Sequence, residues 1–279
     1  MSIEVTQQTF RLPRRPRQAH KGDFGRVYIV GGSVGYTGAP VFAAQGALRT
    51  GAGLVYLGVP EEVWAVVASR CAEAMPRPLD GQPEQVLEQI SRCDAALVGP
   101  GLGTGENVAQ LARTLTERLE MPLVLDADGL NALAGHTHIL AGRKAPTILT
   151  PHEGEFARLT GVKCPVEDRQ RAASDFARMH GCVLVLKGHR TVTAAPDGRV
   201  WINTSGNPGM AKGGSGDVLA GIILAFVGQG FDPAESAAMA VWLHGRAGDL
   251  CARELGEYAM TPTDLLAMLP RAVREMEET

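Results

Sequence analysis

Asn207-Pro-Gly-Met-Ala-Lys-Gly-Gly-Ser-Gly-Asp217 runs without a break into the apolar residues 218–227, and this junction decides how the chain is read. Gly213, Gly214 and Gly216 let the backbone come close to a ligand, and Ser215 stands where a helix N-cap belongs. The N–H groups of the following first turn point outward with the positive end of the helix dipole behind them, which makes an anion site. Asp217 lies in that turn. An aspartate at a helix start is an ordinary dipole partner. Beside three glycines at this spacing it reads instead as a base for an attacking hydroxyl, next to donors for a transferring phosphoryl group. The loop is not a Walker A loop, because no G-x-x-x-x-G precedes Lys212 in register. The apolar run is about half a bilayer span, so it is read as a core helix.

Working outward, short apolar runs at 27–31, 54–59, 95–99, 123–126, 147–150 and 183–187 end at or just before Gly, Asp or Pro. Most lack alternation, as parallel strands covered on both faces do. Helical stretches lie between them at 40–50, 61–70, 83–92, 106–119 and 167–180. Strands alternating with helices predict an α/β fold with a mostly parallel central sheet flanked by helices. Residues 191–195 and 199–203 flank Pro196-Asp197-Gly198 and predict an antiparallel edge hairpin. Helices are expected over 217–228, 233–255 and 262–269. Residues 1–20 read as a basic, proline-broken arm exposed to solvent, and 21–279 as a single domain.

The composition agrees. The 279 residues are 45% hydrophobic with 34 glycines, enough for a sizeable core built from small aliphatic side chains. A formal charge of −3 argues against nucleic acid as the main partner. The five cysteines (Cys71, Cys93, Cys164, Cys182, Cys251) are far apart and read as buried thiols in a reducing compartment. With no signal-peptide pattern and no apolar run of spanning length, a cytoplasmic location away from membranes is expected.

Ligands of open α/β sheets bind beyond the carboxyl ends of the strands, and the remaining motifs follow strands. Val98-Gly-Pro-Gly-Leu-Gly-Thr-Gly105 spaces its glycines alternately, unlike a G-x-G-x-x-G fingerprint, and reads as a tight turn that also lines a ligand site. Gly31-Gly-Ser-Val-Gly-Tyr-Thr-Gly-Ala-Pro40 folds tightly over something, with Pro40 opening the next helix. In Leu149-Thr-Pro-His-Glu-Gly-Glu155, Thr150-Pro151 and the acidic first turn are a plain helix start, which leaves His152 unexplained and facing the ligand side. Glu155 is placed to orient a Mg²⁺-bound water. Asp126 and Asp128 suit Mg²⁺ or an activated water, or instead the cap of a helix beginning at Gly129. Lys187 through Thr191 suit phosphate oxygens and a ribose. His136, His138, His180 and His244 have no partner at metal spacing and read as structural or surface residues.

These motifs, with His20-Lys-Gly-Asp-Phe-Gly25, Gly51-Ala-Gly53 and Leu125-Asp-Ala-Asp-Gly129, closely resemble those of the ADP-dependent (S)-NAD(P)H-hydrate dehydratases of the ribokinase-like superfamily. The match runs from about Lys21 to Leu269. The resemblance implies ADP-dependent dehydration of hydrated NADH or NADPH, with release of AMP and phosphate. It implies ADP as co-substrate and Mg²⁺ as cofactor, Asp217 as catalytic base, and Gly214, Ser215 and Gly216 as the anion hole. Ala39, Gly101 or Gly103, His152 and Asp217 would contact the hydrated dinucleotide. Lys187, Gly188, His189, Arg190, Thr191 and Gly216 would hold the nucleotide, and relatives suggest a homotetramer. His152 and Ser215 stand where many superfamily kinases have Asn and Ala, which leaves a metal role for Glu155 less secure.

Three other readings compete, and the intact Asp217 argues against one of them, a catalytically dead nucleotide-sensing module. A ribokinase-like kinase of a thiazole or pyrimidine alcohol shares the anion hole, but the Thr-Pro-His-Glu-Gly-Glu and Gly-Gly-Ser-Val-Gly-Tyr-Thr-Gly segments favour the dehydratase. A dinucleotide oxidoreductase lacks its glycine fingerprint here, and no acidic residue is placed for a ribose after the first strand.

Overall fold

The computed structural model describes residues 2–277. Its strands are β1 (Ser2–Val5), β2 (Arg26–Val30), β3 (Leu54–Pro60), β4 (Met75–Leu79), β5 (Ala95–Val98), β6 (Leu123–Leu125), β7 (Thr147–Leu149), β8 (Val183–Leu186), β9 (Val192–Ala194) and β10 (Val200–Asn203). They form one 10-stranded sheet in the order β1-β10-β9-β8-β7-β6-β5-β2-β3-β4. The helices are α1 (Gly38–Arg49), α2 (Glu61–Ala68), α3 (Pro83–Ile90), α4 (Glu106–Arg118), α5 (Asp128–Asn131), α6 (Glu153–Thr160), α7 (Arg169–His180), α8 (Ser215–Gly228), α9 (Pro233–Leu255) and α10 (Pro262–Glu277).

Every pairing from β8 across to β4 is parallel, and β9 runs antiparallel to both β8 and β10. The central strands lack alternation because both faces are covered. Val27, Ile29 and Leu97 join the core under α1, α8 and α9, whereas Val30, Val98 and Leu125 join a second core under α3 to α7. Val218 through Gly228 are all buried, so α8 is an interior helix as its all-apolar sequence requires.

Two strands escape the sequence reading. β1 lies outside the hairpin, parallel to β10 in the register Ser2↔Val200. The arm after it is docked as well: Phe10 and Leu12 pack on the core, and the Arg15 guanidinium lies 3.8 Å over the Phe24 ring and donates to the Gly51 carbonyl. The basic side chains had masked these apolar anchors. β4 is Met-Pro-Arg-Pro-Leu, a composition that argues against a strand except at a sheet edge, where it lies. Of the five cysteines, Cys93, Cys182 and Cys251 are buried as expected, Cys71 is half-buried and Cys164 is exposed.

The chain order β2, β3, β4 runs to one side and β5 returns to the other side of β2. This switch point opens a crevice at the carboxyl ends of β2 and β5, where such sheets bind ligands.

Candidate active site

The first turn of α8 stands at the carboxyl rim of the sheet, and the side chains below it are charged. Gly214, at φ 99, turns the chain into the helix and is its N-cap; Ser215 is the first helical residue and is buried. This corrects the expectation that Ser215 caps the helix. The left-handed turn suits glycine, and the Ser215 hydroxyl lies against the His244 ring instead, 3.2 Å from Nε2. The N–H groups of this turn receive no side-chain cap.

A Cβ on Gly216 would stand 3.4 Å from Lys187 Nζ and 4.0 Å from Asp126 Oδ2. The ammonium and the carboxylate therefore sit directly against the helix start. Lys187 donates to Asp126 Oδ1 at 2.7 Å and lies 3.8 Å from Glu155 Oε2. The Thr150 hydroxyl donates to the same Asp126 oxygen at 2.7 Å. Burial pulls the Lys187 pKa down, but Asp126, Glu155 and Asp217 more than offset this and hold it above its usual value. Lys187 is thus a charged group fixed at the floor of the site.

Asp217 shows the opposite effect. Burial, reinforced by Asp126, Asp128 and Glu155 and opposed by Lys187, pushes its pKa up to about 7. A carboxylate poised near neutrality is a far better proton acceptor than a free aspartate, and a cleft residue perturbed by burial and named neighbours is a mark of function.

The two glycine-rich loops meet across the switch point. The Gly32 amide donates to the Pro100 carbonyl at 2.9 Å, and the Ser33 hydroxyl donates to the Gly101 carbonyl at 2.9 Å. A Cβ on Gly101, at φ 61, would come within 2.9 Å of the Ala39 and Tyr36 Cβ atoms, so the expected substrate contacts Ala39 and Gly101 are neighbours. The Gly103 amide donates to Asp128 Oδ2 at 2.8 Å, and Asn131 donates to Oδ1. Asp128 is therefore engaged in shaping the Gly101–Gly103 turn. Of the two carboxylates left open in the sequence, Asp126 is the one whose second oxygen faces the α8 start. Ala127 between them takes φ 49, a left-handed conformation that costs a non-glycine residue and clusters at functional sites.

His152 has a structural job that the sequence reading did not give it. It is the N-cap of α6: its Nδ1 accepts from the Gly154 and Glu155 amides, while Glu155 Oε2 accepts from the His152 amide at 2.8 Å. This reciprocal capping box explains both residues locally. The His152 ring still stands exposed at the rim, whereas Glu155 is buried beneath it.

In the 187–191 loop, the Thr191 hydroxyl donates to the Gly188 carbonyl and accepts from its amide, closing a tight turn. Arg190 takes φ 52 and pairs with Glu4 of β1, and His189 is exposed. Arg169 was missed in the sequence. It donates to the Leu186 and His189 carbonyls at 2.8 and 2.6 Å and pairs with Glu153 at 3.1 Å, so it braces this loop. Lys212, also missed, donates to the Tyr258 and Met260 carbonyls and ties the glycine loop to the chain before α10. Neither role has a sequence signal, since the partners, backbone carbonyls and for Arg169 also the Glu153 carboxylate, are remote in the chain. Among the described residues, no three His, Cys, Asp or Glu side chains gather as a ready metal cage.

A family model described as NAD(P)H-hydrate dehydratase matches residues 27–271. A bifunctional NAD(P)H-hydrate repair enzyme of Moorella thermoacetica is 47% identical over 278 residues, covering 96% of this chain and 52% of that protein. The chain spans about half the length of the first curated relatives it matches. An ADP-dependent (S)-NAD(P)H-hydrate dehydratase of Neisseria meningitidis is 40% identical, covering 91% of this chain and 87% of that protein. Among solved structures, an ADP/ATP-dependent NAD(P)H-hydrate dehydratase of Bacillus subtilis, co-crystallised with ATP/Mg²⁺, superposes with a TM-score of 0.85 at 34% identity, covering 96% and 95% of the two chains.

Proposed function

Because this chain belongs to the NAD(P)H-hydrate dehydratase family, we propose that it repairs hydrated NADH and NADPH by ADP-dependent dehydration, with Asp217 as the base. The hydrated nicotinamide ring carries a hydroxyl at C6. Asp217 takes the hydroxyl proton as the oxygen attacks the terminal phosphorus of ADP; the bond from that phosphorus to the bridging oxygen breaks, and AMP leaves. The N–H groups of Gly214, Ser215 and Gly216 receive the charge on the transferring group. The ring nitrogen then pushes its electrons to expel phosphate from C6, and the resulting iminium loses a proton from C5 to the departing phosphate or water, which re-forms the double bond and restores the reduced cofactor. The observation that carries this reading is the Asp217 carboxyl, raised to about 7, in the first turn of α8, whose start has no side-chain cap and where the Ser215 amide is held by the Lys212 carbonyl at 3.2 Å.

In this reading the two ligands lie on separate sides of the rim. Ala39, Gly101, Gly103 and His152 would face the hydrated dinucleotide, and Lys187 through Thr191 with Gly216 the adenine nucleotide. The donor set fits Mg²⁺ carried largely by phosphate oxygens and waters, with the free Asp126 oxygen and, through water, Glu155 as its protein contacts. When bound, the ion supplies charge neutralisation on the nucleotide phosphates. A cytoplasmic homotetramer is the assembly read by analogy, and light scattering on the purified chain tests the subunit number.

The direct test is incubation with hydrated NADH, Mg²⁺ and either ADP or ATP. Recovery of NADH absorbance with stoichiometric AMP and phosphate from ADP is expected. A stable phosphorylated product without NADH recovery would establish a kinase instead.

A further inference from the structure

His244 lies on α9, 29 residues beyond Ser215, and is 9% exposed. Its Nε2 is 2.9 Å from the Ser215 carbonyl oxygen and 3.2 Å from the Ser215 hydroxyl. A carbonyl can only accept, so Nε2 carries the proton and donates. Burial pulls the ring's pKa down to about 4, and nearby Lys187 opposes its charging too, so the ring is neutral at physiological pH.

Resting on the phosphoryl-transfer reading above, we infer that His244 is a positioning residue whose Nε2–H orients the Ser215–Gly216 peptide, and so aims the Gly216 amide at the transferring phosphoryl group. The peptide unit is planar, so fixing the Ser215 oxygen fixes the opposite N–H, which belongs to Gly216. A hydrogen bond to the carbonyl also polarises the amide and strengthens that N–H as a donor. The helix ladder already gives this carbonyl a partner four residues on, so α8 does not need His244 to form. The extra donor acts on one peptide, and that peptide faces the ligand. Gly214 gives the turn its left-handed conformation, and Gly216 leaves it room. His244 supplies the restraint that glycines cannot.

The test compares His244→Leu with His244→Gln, whose side-chain amide places an N–H donor near the Nε2 position. His244→Leu is expected to lower kcat about tenfold, a fraction of what loss of an oxyanion donor costs, with the KM for ADP changed much less. His244→Gln should recover most of that loss. Equal kcat in the two variants, whether unchanged or equally reduced, overturns the role. If the Leu variant does not fold, His244→Asn takes its place. Its amide falls short of the Ser215 carbonyl, so it should be as impaired as Leu was expected to be, and parity of Asn with Gln is the contrary result. Asp217→Asn run in parallel separates the claims. Its loss of turnover beside a wild-type kcat in His244→Leu overturns the positioning role alone. Full turnover in Asp217→Asn overturns the site reading beneath it.

Discussion

The buried middle of α8 and its start at the rim use glycine for opposite purposes. Inside the molecule, a Cβ on Gly221 would lie 2.0 Å from the Ala43 carbonyl of α1, and one on Gly46 of α1 would lie 2.5 Å from the Val218 carbonyl. There glycine lets two helices touch. At the rim, a Cβ on Gly213 would meet nothing within 4 Å, and one on Gly216 only the end of Lys187 and an Asp126 oxygen. That room is kept for something other than the protein. One helix therefore packs by its interior glycines and binds by its terminal ones. A change in the middle should be read in stability, and at the rim in catalysis.

The sharpest separation is expected from Asp217→Asn. Turnover should fall by at least about 10²-fold, the lower range for general base catalysis, with ADP binding largely kept. The same change should stabilise the fold. Because the folded-state pKa is raised from 3.8 to about 7, keeping the proton favours the folded state below pH 4, and this advantage is lost as pH rises through about 7. The variant should therefore gain on the order of 2 kcal/mol over wild type at pH 8, with the gap closing toward pH 4. Denaturant titrations at the two pH values check it, and a variant that loses both stability and turnover would break the division.

Gly221→Ala is next. Forcing a methyl group against the α1 backbone should cost about 2 kcal/mol of stability, while folded enzyme at low temperature keeps a near-normal kcat. A catalytic loss without a stability loss would reverse the comparison.

Lys187→Met probes the floor of the site. Lys187 is the group that lowers the Asp217 pKa. Since the base must be ionised, the wild-type kcat/KM should fall below about pH 7, and in the variant this acid limb should move upward by roughly one unit if a close charge pair is lost. An unmoved limb would mean that another group titrates.

The smallest effect belongs to Gly213→Ala. With open space at the Cβ position, stability should stay within about 0.5 kcal/mol of wild type, as for surface changes away from special features. Any loss should appear as a few-fold rise in the KM for ADP.

How much of this was legible in the sequence follows the same division. The parallel strands were readable because both their faces are buried and their residues are uniformly apolar. β1 is only four residues long and mostly exposed, and β4 carries Pro76 and Pro78, which only an edge tolerates. At the site, Gly214, Gly216 and Asp217 announced themselves by local spacing. The partners that tune them did not, because Lys187 reaches Asp126 across 61 residues and His244 reaches Ser215 across 29. His152 shows the reverse case: besides standing at the rim it is half of a capping box with Glu155, a local role that the sequence reading did not give it. Local chemistry is written in order along the chain, and long-range electrostatics is not.

A crystal structure with ADP and Mg²⁺ bound tests the placement of the chemistry most directly. An oxygen of the terminal phosphate should lie about 3 Å from the amides of Gly214 to Gly216, the length of an ordinary hydrogen bond, with the Asp217 carboxyl opening toward the dinucleotide side. A terminal phosphate held away from the start of α8 would contradict it.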